Sequence, residues 1–321
     1  MPTSPPLPAV SLADIGFVGS GLARPECVLA TARGSLFVSD RRGGVCCIEP
    51  DGRQHLIGVG ASILPNGIAL RQDGSFLVAN LNSEGGVWQI DSEGRTRPFL
   101  LEVNGAPLPA VNFVRLDADG RVWICANPPL THDGRYRTEQ KEGYVVVVDK
   151  AGARIAADSI GWANECLVHP SGRHLYVNET FARRLTRFDI GENARLSNRT
   201  TYAQFGPGTY PDGIALDEED GIWVVGVTAN RLIRVTPDGR QQVILEDSDS
   251  AQMDALEQAY AGHRLTRTNL VKAGDTMLKG ITSIAFGGPD RRTAFLGSLA
   301  DNRLATFRSP VAGHAPVHWD W

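Results

Sequence analysis

The chain is poor in cysteine and has no surplus of positive charge. Its five cysteines (Cys27, Cys46, Cys47, Cys125 and Cys166) are odd in number and include no CxxC pair in 321 residues. That pattern argues against a disulfide framework and against a cysteine-based zinc site. Lys and Arg total 32 against 36 Asp and Glu, a formal net charge of −4. Nothing here neutralises a phosphate backbone, so no nucleic-acid partner is expected. No apolar run approaches the ~18 residues that span a bilayer, so no membrane partner is expected either. The first residues, Met-Pro-Thr-Ser-Pro-Pro-Leu-Pro, lack the basic and apolar regions of a signal peptide, which points to a cytoplasmic protein. The hydrolase signatures HExxH and GxSxG are missing, and Gly19-Ser20-Gly21 lacks the following helix a phosphate loop needs.

What the chain has is turns and a repeat. Thirty-five glycines and 19 prolines favour β architecture over a helix bundle. Six segments share one pattern: a polar residue, an apolar run, a turn signal and a β-rich run. The polar residues are Glu26, Asn66, Asn112, Asn164, Asp212 and Thr282. In the first five units a glycine follows 8, 8, 8, 8 and 9 residues later, at Gly34, Gly74, Gly120, Gly172 and Gly221. These units continue into a second hairpin, and their polar residues are spaced 40, 46, 52 and 48 residues apart. Four strands at that period describe a propeller blade.

The expected fold is therefore all-β, a six-bladed β-propeller of four-stranded antiparallel blades. The sixth unit has strands at 281–287, 293–298 and 302–308 and lacks a fourth. An N-terminal strand near Ile15–Val18 would supply it and close the ring. The expected organisation is a tail at 1–12, one propeller domain at 13–310 and a C-terminal tail at 311–321. Trp88, Trp123 and Trp223 are expected to pack between blades, and one short helix is expected near 250–262.

Strand direction sorts the loops. Two long insertions, 127–142 and 246–279, fall on the face where the inner strands begin, and long loops on a rigid scaffold often carry function. They are expected to act as lids, with Tyr136, Met253, Leu256 and Tyr260 as wall candidates. The first residues of the inner strands should surround one axis. Glu26, Asn66, Asn112, Asn164 and Asp212 offer only oxygen ligands, which suits a hard cation such as Ca²⁺. Without a cation, Glu26 and Asp212 would bear a desolvation penalty. The alternative is a set of amides and carboxyls hydrogen-bonded to channel water.

Five motifs in order carry a resemblance. They are Arg-Pro-Glu-Cys at 24–27, Asn112 ahead of the 116–123 turn, Asn164 ahead of the 169–176 turn, Glu179 to Phe188, and Tyr210 to Asp217. The chain resembles the SMP-30/gluconolactonase/luciferin-regenerating-enzyme family over residues 13–310. The resemblance implies one divalent cation held by Glu26, Asn164 and Asp212, with Asn112 beside it. Ca²⁺ leads, with Zn²⁺, Mn²⁺ or Mg²⁺ as alternatives. It also implies hydrolysis of a lactone or cyclic ester, with a small-molecule lactone or ester as substrate. Asp212 is the candidate general base. Candidate substrate contacts are Asn66, Asn112, Phe113, Glu165, Glu179 and Tyr210.

Two departures bear on the substrate. Aldonolactonases of the family often carry Arg two residues before the Asn112 position and Asp directly after it. Here Ala110 and Phe113 occupy those places, so an apolar lactone or ester fits the wall better than a sugar. Glu165 stands where Gly often follows the Asn. The other functional classes to weigh are a calcium-dependent phosphotriesterase-like hydrolase and a non-catalytic propeller that binds a partner on its loop face.

Overall fold

The computed structural model describes residues 6–58, 62–128, 134–137, 141–271 and 276–321. Six four-stranded antiparallel sheets stand in a ring. Their innermost strands are Val28–Ala30, Pro65–Leu70, Val111–Leu116, Ala163–Val168, Pro211–Leu216 and Ile281–Gly287, each in contact with the inner strands of its neighbours. Blade 6 takes its outermost strand from the N-terminus. Gly16–Val18 pairs with Leu304–Arg308, with Gly16 opposite Thr306 and Val18 opposite Leu304. Closing the ring through the two ends of the chain leaves the sixth sheet complete.

The glycine register has a local cause. Gly34, Gly74, Gly120 and Gly172 turn their hairpins with positive φ, a region that glycine enters freely. Blade 5 is one residue out of step because Asp220, eight residues after Asp212, takes the left-handed position at φ 58°. Gly221 is required for a different reason. A Cβ there would lie 2.3 Å from Arg234 Nε and 2.5 Å from Asp217 Oδ2.

That Arg234–Asp217 pair organises the turn. Asp217 Oδ1 accepts from the backbone N–H of Glu219 (2.9 Å) and Gly221 (2.8 Å), while Oδ2 accepts from Trp223 Nε1 (2.8 Å) and Arg234 Nε (2.5 Å). Blade 3 repeats the device, with Asp117 Oδ2 accepting from Trp123 Nε1 at 2.7 Å and from Arg121 Nε at 2.6 Å. Trp123 and Trp223 are fully buried, and Trp223 meets Phe286 of the next blade edge-on. Trp88 is only partly buried and donates to the Gly85 carbonyl.

The expected helix spans Ser250–Ala261, capped by Asp249 accepting from Gln252 N–H. Two features were not anticipated. Arg135–Tyr136 pairs with Leu265–Thr266, so the two insertions are stitched together by a two-residue ladder. Residues 129–133, 138–140 and 272–275 of these insertions lie outside the described residues. The C-terminal segment runs as a strap across the opposite face. Gly313 bridges Asp217 of blade 5, the Trp319 carbonyl accepts from Ala32 N–H of blade 1, and the Trp321 ring packs on Phe37. Among the described residues no helix is long and apolar enough to cross a membrane.

Candidate active site at the channel mouth

Each inner strand of blades 2 to 6 has a pairing irregularity beside its polar residue. The register shifts between Pro65 and Ile68, Val111 and Phe113, Ala163 and Cys166, Pro211 and Ile214, and Ile281 and Ile284. Such irregularities break the alternation of the strand and re-aim a side chain, and they are frequent next to active sites. Here they bring the polar residues onto one axis. In blade 1 a tight turn does this job, with Glu26 N–H donating to the Arg24 carbonyl at 2.8 Å across Pro25.

The result is a linked ring. Asn66 Nδ2 donates to Glu26 Oε1 at 2.8 Å and to the Asn112 carbonyl at 2.7 Å. Asn112 Nδ2 donates to Asn164 Oδ1. Asn164 Nδ2 donates to Thr180 Oγ1 at 3.0 Å, and Thr180 donates to the Pro211 carbonyl beside Asp212 at 2.8 Å. Thr282 Oγ1 donates to the Glu26 carbonyl at 2.7 Å, bringing in the sixth blade.

Glu26, Asn66, Asn112, Asn164 and Asp212 are all buried in this ring. Two of their atoms stand out. Glu26 Oε2 and Asp212 Oδ1 are buried without a hydrogen-bond partner. An unsatisfied buried carboxylate oxygen is costly and calls for a partner, a water or an ion. Burial pushes the Glu26 carboxyl up to about 7, against the opposing pull of Arg24 and the Asn66 amide. Burial, and then the Glu26 charge, push the Asp212 carboxyl well above the usual range. Two carboxylates with free oxygens, amid amide oxygens, fit a hard divalent cation.

A proton and a cation should compete for this pair. Because the Glu26 carboxyl is raised on folding, the cation-free protein should lose stability as pH rises from the ordinary carboxyl range through about 7. Saturating divalent cation should flatten or reverse that slope, and cation affinity should rise over the same window. Thermal melts from pH 5 to 8 with and without Ca²⁺ check this; parallel curves would exclude the competition.

Arg24 is the site residue that sequence reasoning missed, although it stands two places before Glu26 in the quoted motif. It sits at φ 53°, and its Nη2 donates to Asn66 Oδ1 at 2.7 Å and its Nη1 to the Pro65 carbonyl at 3.4 Å. Desolvation lowers its pKa, and the Glu26 and Asp212 charges oppose that shift. Above the ring lies a pocket of about 160 Å³ lined by Leu81, Ala110, Asn112, Asn127, Pro128, Tyr136, Trp162 and Arg267. Asn127, Trp162 and Arg267 carried no signal in the sequence. Ala110, expected at the substrate wall, lines this pocket.

Other expected contacts lie elsewhere. Phe113 lines the channel on the far side of the ring and fills the space that Gly67 leaves open, where a Cβ would come within 2.4 Å of its ring. Glu165 is in the channel too, with Oε2 accepting from Ile214 N–H at 3.1 Å. Burial raises its carboxyl well above the usual range; Arg115 opposes this, while Glu26 and Asp212 add to it. Glu179 is fully engaged by Arg184, Arg199, Thr186 and Gly161 N–H. Burial would raise its carboxyl, but these partners hold it below the usual range.

Tyr210 is fully buried beneath the helix, its hydroxyl held by Arg183 and Glu257. Leu256 and Tyr260 pack in the same cluster, with Met253 at its edge, so of the four lid candidates Tyr136 alone lines the pocket. Away from the ring, Cys47, Glu49 and His55 hold ligand atoms within 4.8 Å of one another on the outer strands of blade 1. No CxxC spacing announces this group.

A closed six-bladed ring with acidic and amide oxygens at one mouth defines a propeller with a polar, cation-suited site at its axis. The family model for the SMP-30/gluconolactonase/LRE-like region matches residues 24–246, and the chain belongs to that family. It is 27% identical over 241 residues to 6-deoxy-6-sulfogluconolactonase of Pseudomonas putida, covering 74% of this chain and 69% of that protein. A gluconolactonase from Xanthomonas campestris superposes with a TM-score of 0.69 at 17% identity, over 97% of this chain and 99% of that one. Regucalcin, a calcium-binding protein from Agrobacterium tumefaciens, does so with a TM-score of 0.67 at 17% identity, over 95% and 98%. These two likenesses show the shared fold.

Proposed function

We propose that the protein hydrolyses a small lactone or cyclic ester at the ring, with a divalent cation, Ca²⁺ first among candidates. The observation that carries this reading is the pair of buried, partnerless oxygens, Glu26 Oε2 and Asp212 Oδ1, in a ring whose Asn112 also lines a pocket. The lactonase named among the relatives supports the reaction class, and the calcium-binding neighbour supports the cofactor. Glu26, Asp212 and Asn164 would hold the cation, with Asn112 beside it. When bound, the cation supplies a Lewis acid for the lactone carbonyl.

The chain's own residues do the rest. The pocket seats the ring of the lactone between Tyr136, Trp162 and the Ala110 side. Asp212 accepts a proton from the attacking water, whose oxygen bonds to the carbonyl carbon. The carbon–ring-oxygen bond then breaks, and the proton passes to the departing alkoxide to give a hydroxy acid. Arg24 contributes a fixed positive charge beside the developing oxyanion.

The test is a panel of lactones and esters assayed with EDTA and with added divalent ions. Turnover lost on chelation and restored by Ca²⁺ supports the reading; turnover indifferent to EDTA removes the cation from it, and no turnover on any substrate removes the reaction. Wall chemistry adds a second expectation. Ala110→Arg should shift kcat/KM toward a sugar lactone over an alkyl lactone by about tenfold, because a hydrogen bond between a guanidinium and a hydroxyl is worth about 1.5–3 kcal/mol. An unchanged ratio would mean that position 110 does not meet the substrate.

A further inference from the structure

The far end of the channel holds a second cavity, larger than the pocket over the ring. It measures about 570 Å³. Its walls are mostly the lower halves of the inner strands, including Leu29, Ile68, Phe113, Leu167 and Ile214. The C-terminal strap, from His314 to His318, covers its mouth. The proposed hydrolysis uses none of this.

Two polar groups lining this cavity are poorly served, and Glu165 Oε1, close enough for its carboxyl to feel the Arg115 charge, is also buried without a partner. Arg115 is half-buried, and among the described residues its one hydrogen bond goes to the Ile214 carbonyl at 3.5 Å, a marginal length. Its guanidinium otherwise lies over the Phe113 ring at 5.2 Å. It forms no ion pair with any described carboxylate, although Glu165 is near enough to feel its charge. A half-buried guanidinium with one marginal hydrogen bond has donors to spare for a carboxylate. The second group is His318 of the strap, whose Nε2 is buried without a partner. Burial and the Arg115 charge push its imidazole down to about 4, so it stays neutral beside the guanidinium.

We propose that this cavity is a second binding site, for a small apolar molecule bearing one carboxylate. Arg115 takes the carboxylate, the inner-strand side chains take the apolar body, and the strap closes over it. A guanidinium matches a carboxylate bidentately, and a concave, mostly apolar pocket with few polar anchors is the usual form of a small-molecule site. The strap is held by its own backbone to blades 5 and 1, through Gly313 and Trp319.

The probes are benzoate and hexanoate, each against its amide, titrated calorimetrically into the full-length protein. The acids should bind at least tenfold tighter than the amides. Arg115→Met should abolish that preference, and Glu26→Gln should leave it intact. Val317→Trp, on the exposed side of the strap, should weaken acid binding severalfold by crowding the mouth. It decides the matter should Arg115→Met fail to fold. Equal binding of acid and amide, or no binding of either at millimolar concentration, overturns the proposal. So does a preference that survives Arg115→Met, or acid binding that Val317→Trp leaves unchanged. A preference lost in Glu26→Gln instead would assign the acid to the ring and overturn it as well. None of these outcomes depends on whether the ring hydrolyses a lactone.

Discussion

Asp212→Asn is expected to cut kcat on the best lactone by about 10²–10⁴-fold, the usual worth of a positioned acid–base group. Glu26→Gln should instead act mainly on the cation, weakening its binding by at least ~100-fold, since leaving a buried charge without its counter-charge costs about 3–5 kcal/mol. The two amides have an opposite signature in the cation-free protein. Both carboxyls are disfavoured by burial in the folded state, so neutralising either should raise the melting temperature without Ca²⁺ and lower it with Ca²⁺. A generic packing defect cannot produce that reversal. Calorimetric Ca²⁺ titration, kcat and paired melts measure all three, and unchanged Ca²⁺ affinity in both variants would rule out the ring as a cation site.

Asp217→Ala should be the most destabilising single change outside the ring. Its carboxylate is fully buried and serves Arg234, Trp223 and two backbone N–H groups at once. Arg234 is itself almost fully buried and also reaches Glu219 at 3.0 Å. Removing the aspartate strands that guanidinium and the indole N–H, at a cost of about 3–5 kcal/mol. For a chain of this size that corresponds to a melting temperature lower by about 5–10 °C. Asp238→Ala is the control. It breaks an exposed pair with Arg240, with about half of each side chain in solvent, and the hydrogen bond from the Thr236 hydroxyl, and should cost far less. Urea midpoints compare the two, and equal losses would mean that the buried pair is not what holds blade 5.

The fold was legible because each blade repeats the same local solution: polar residue, apolar run, glycine turn. Even its irregularity was informative, since the ninth-residue offset in blade 5 marks Asp220 taking the left-handed position and Gly221 making room for Arg234. The missing fourth strand was likewise readable, because a sixth sheet with three strands leaves an edge. The ring residues followed from the register. Their neighbours did not. The family resemblance puts Phe113 at the substrate wall, but in the structure it lines the channel on the far side of the ring, against Gly67. Tyr210 and Glu179 sit close to ring residues in sequence, and side-chain pairing alone decides that they serve the scaffold. Arg135–Tyr136 and Leu265–Thr266 are too short to show a period, so their pairing, and with it the position of Arg267, had no signature. The strap shows no periodicity, and what anchors it, Gly313 to Asp217 and Trp319 to Ala32, is long-range.

Ring closure through Gly16–Val18 also sets an order of events during synthesis. These three residues are made about 290 residues before their partners at Leu304–Thr306. At about 5–20 residues per second, the strand waits some 15–60 s for its sheet. Blades 1 to 5 can form in turn as they emerge, whereas blade 6 cannot be completed until Leu304–Arg308 has followed them. A nascent chain stalled before residue 300 should therefore expose an open ring, sensitive to protease at Gly16–Val18. Extension past Leu304–Arg308 should protect that segment in one step.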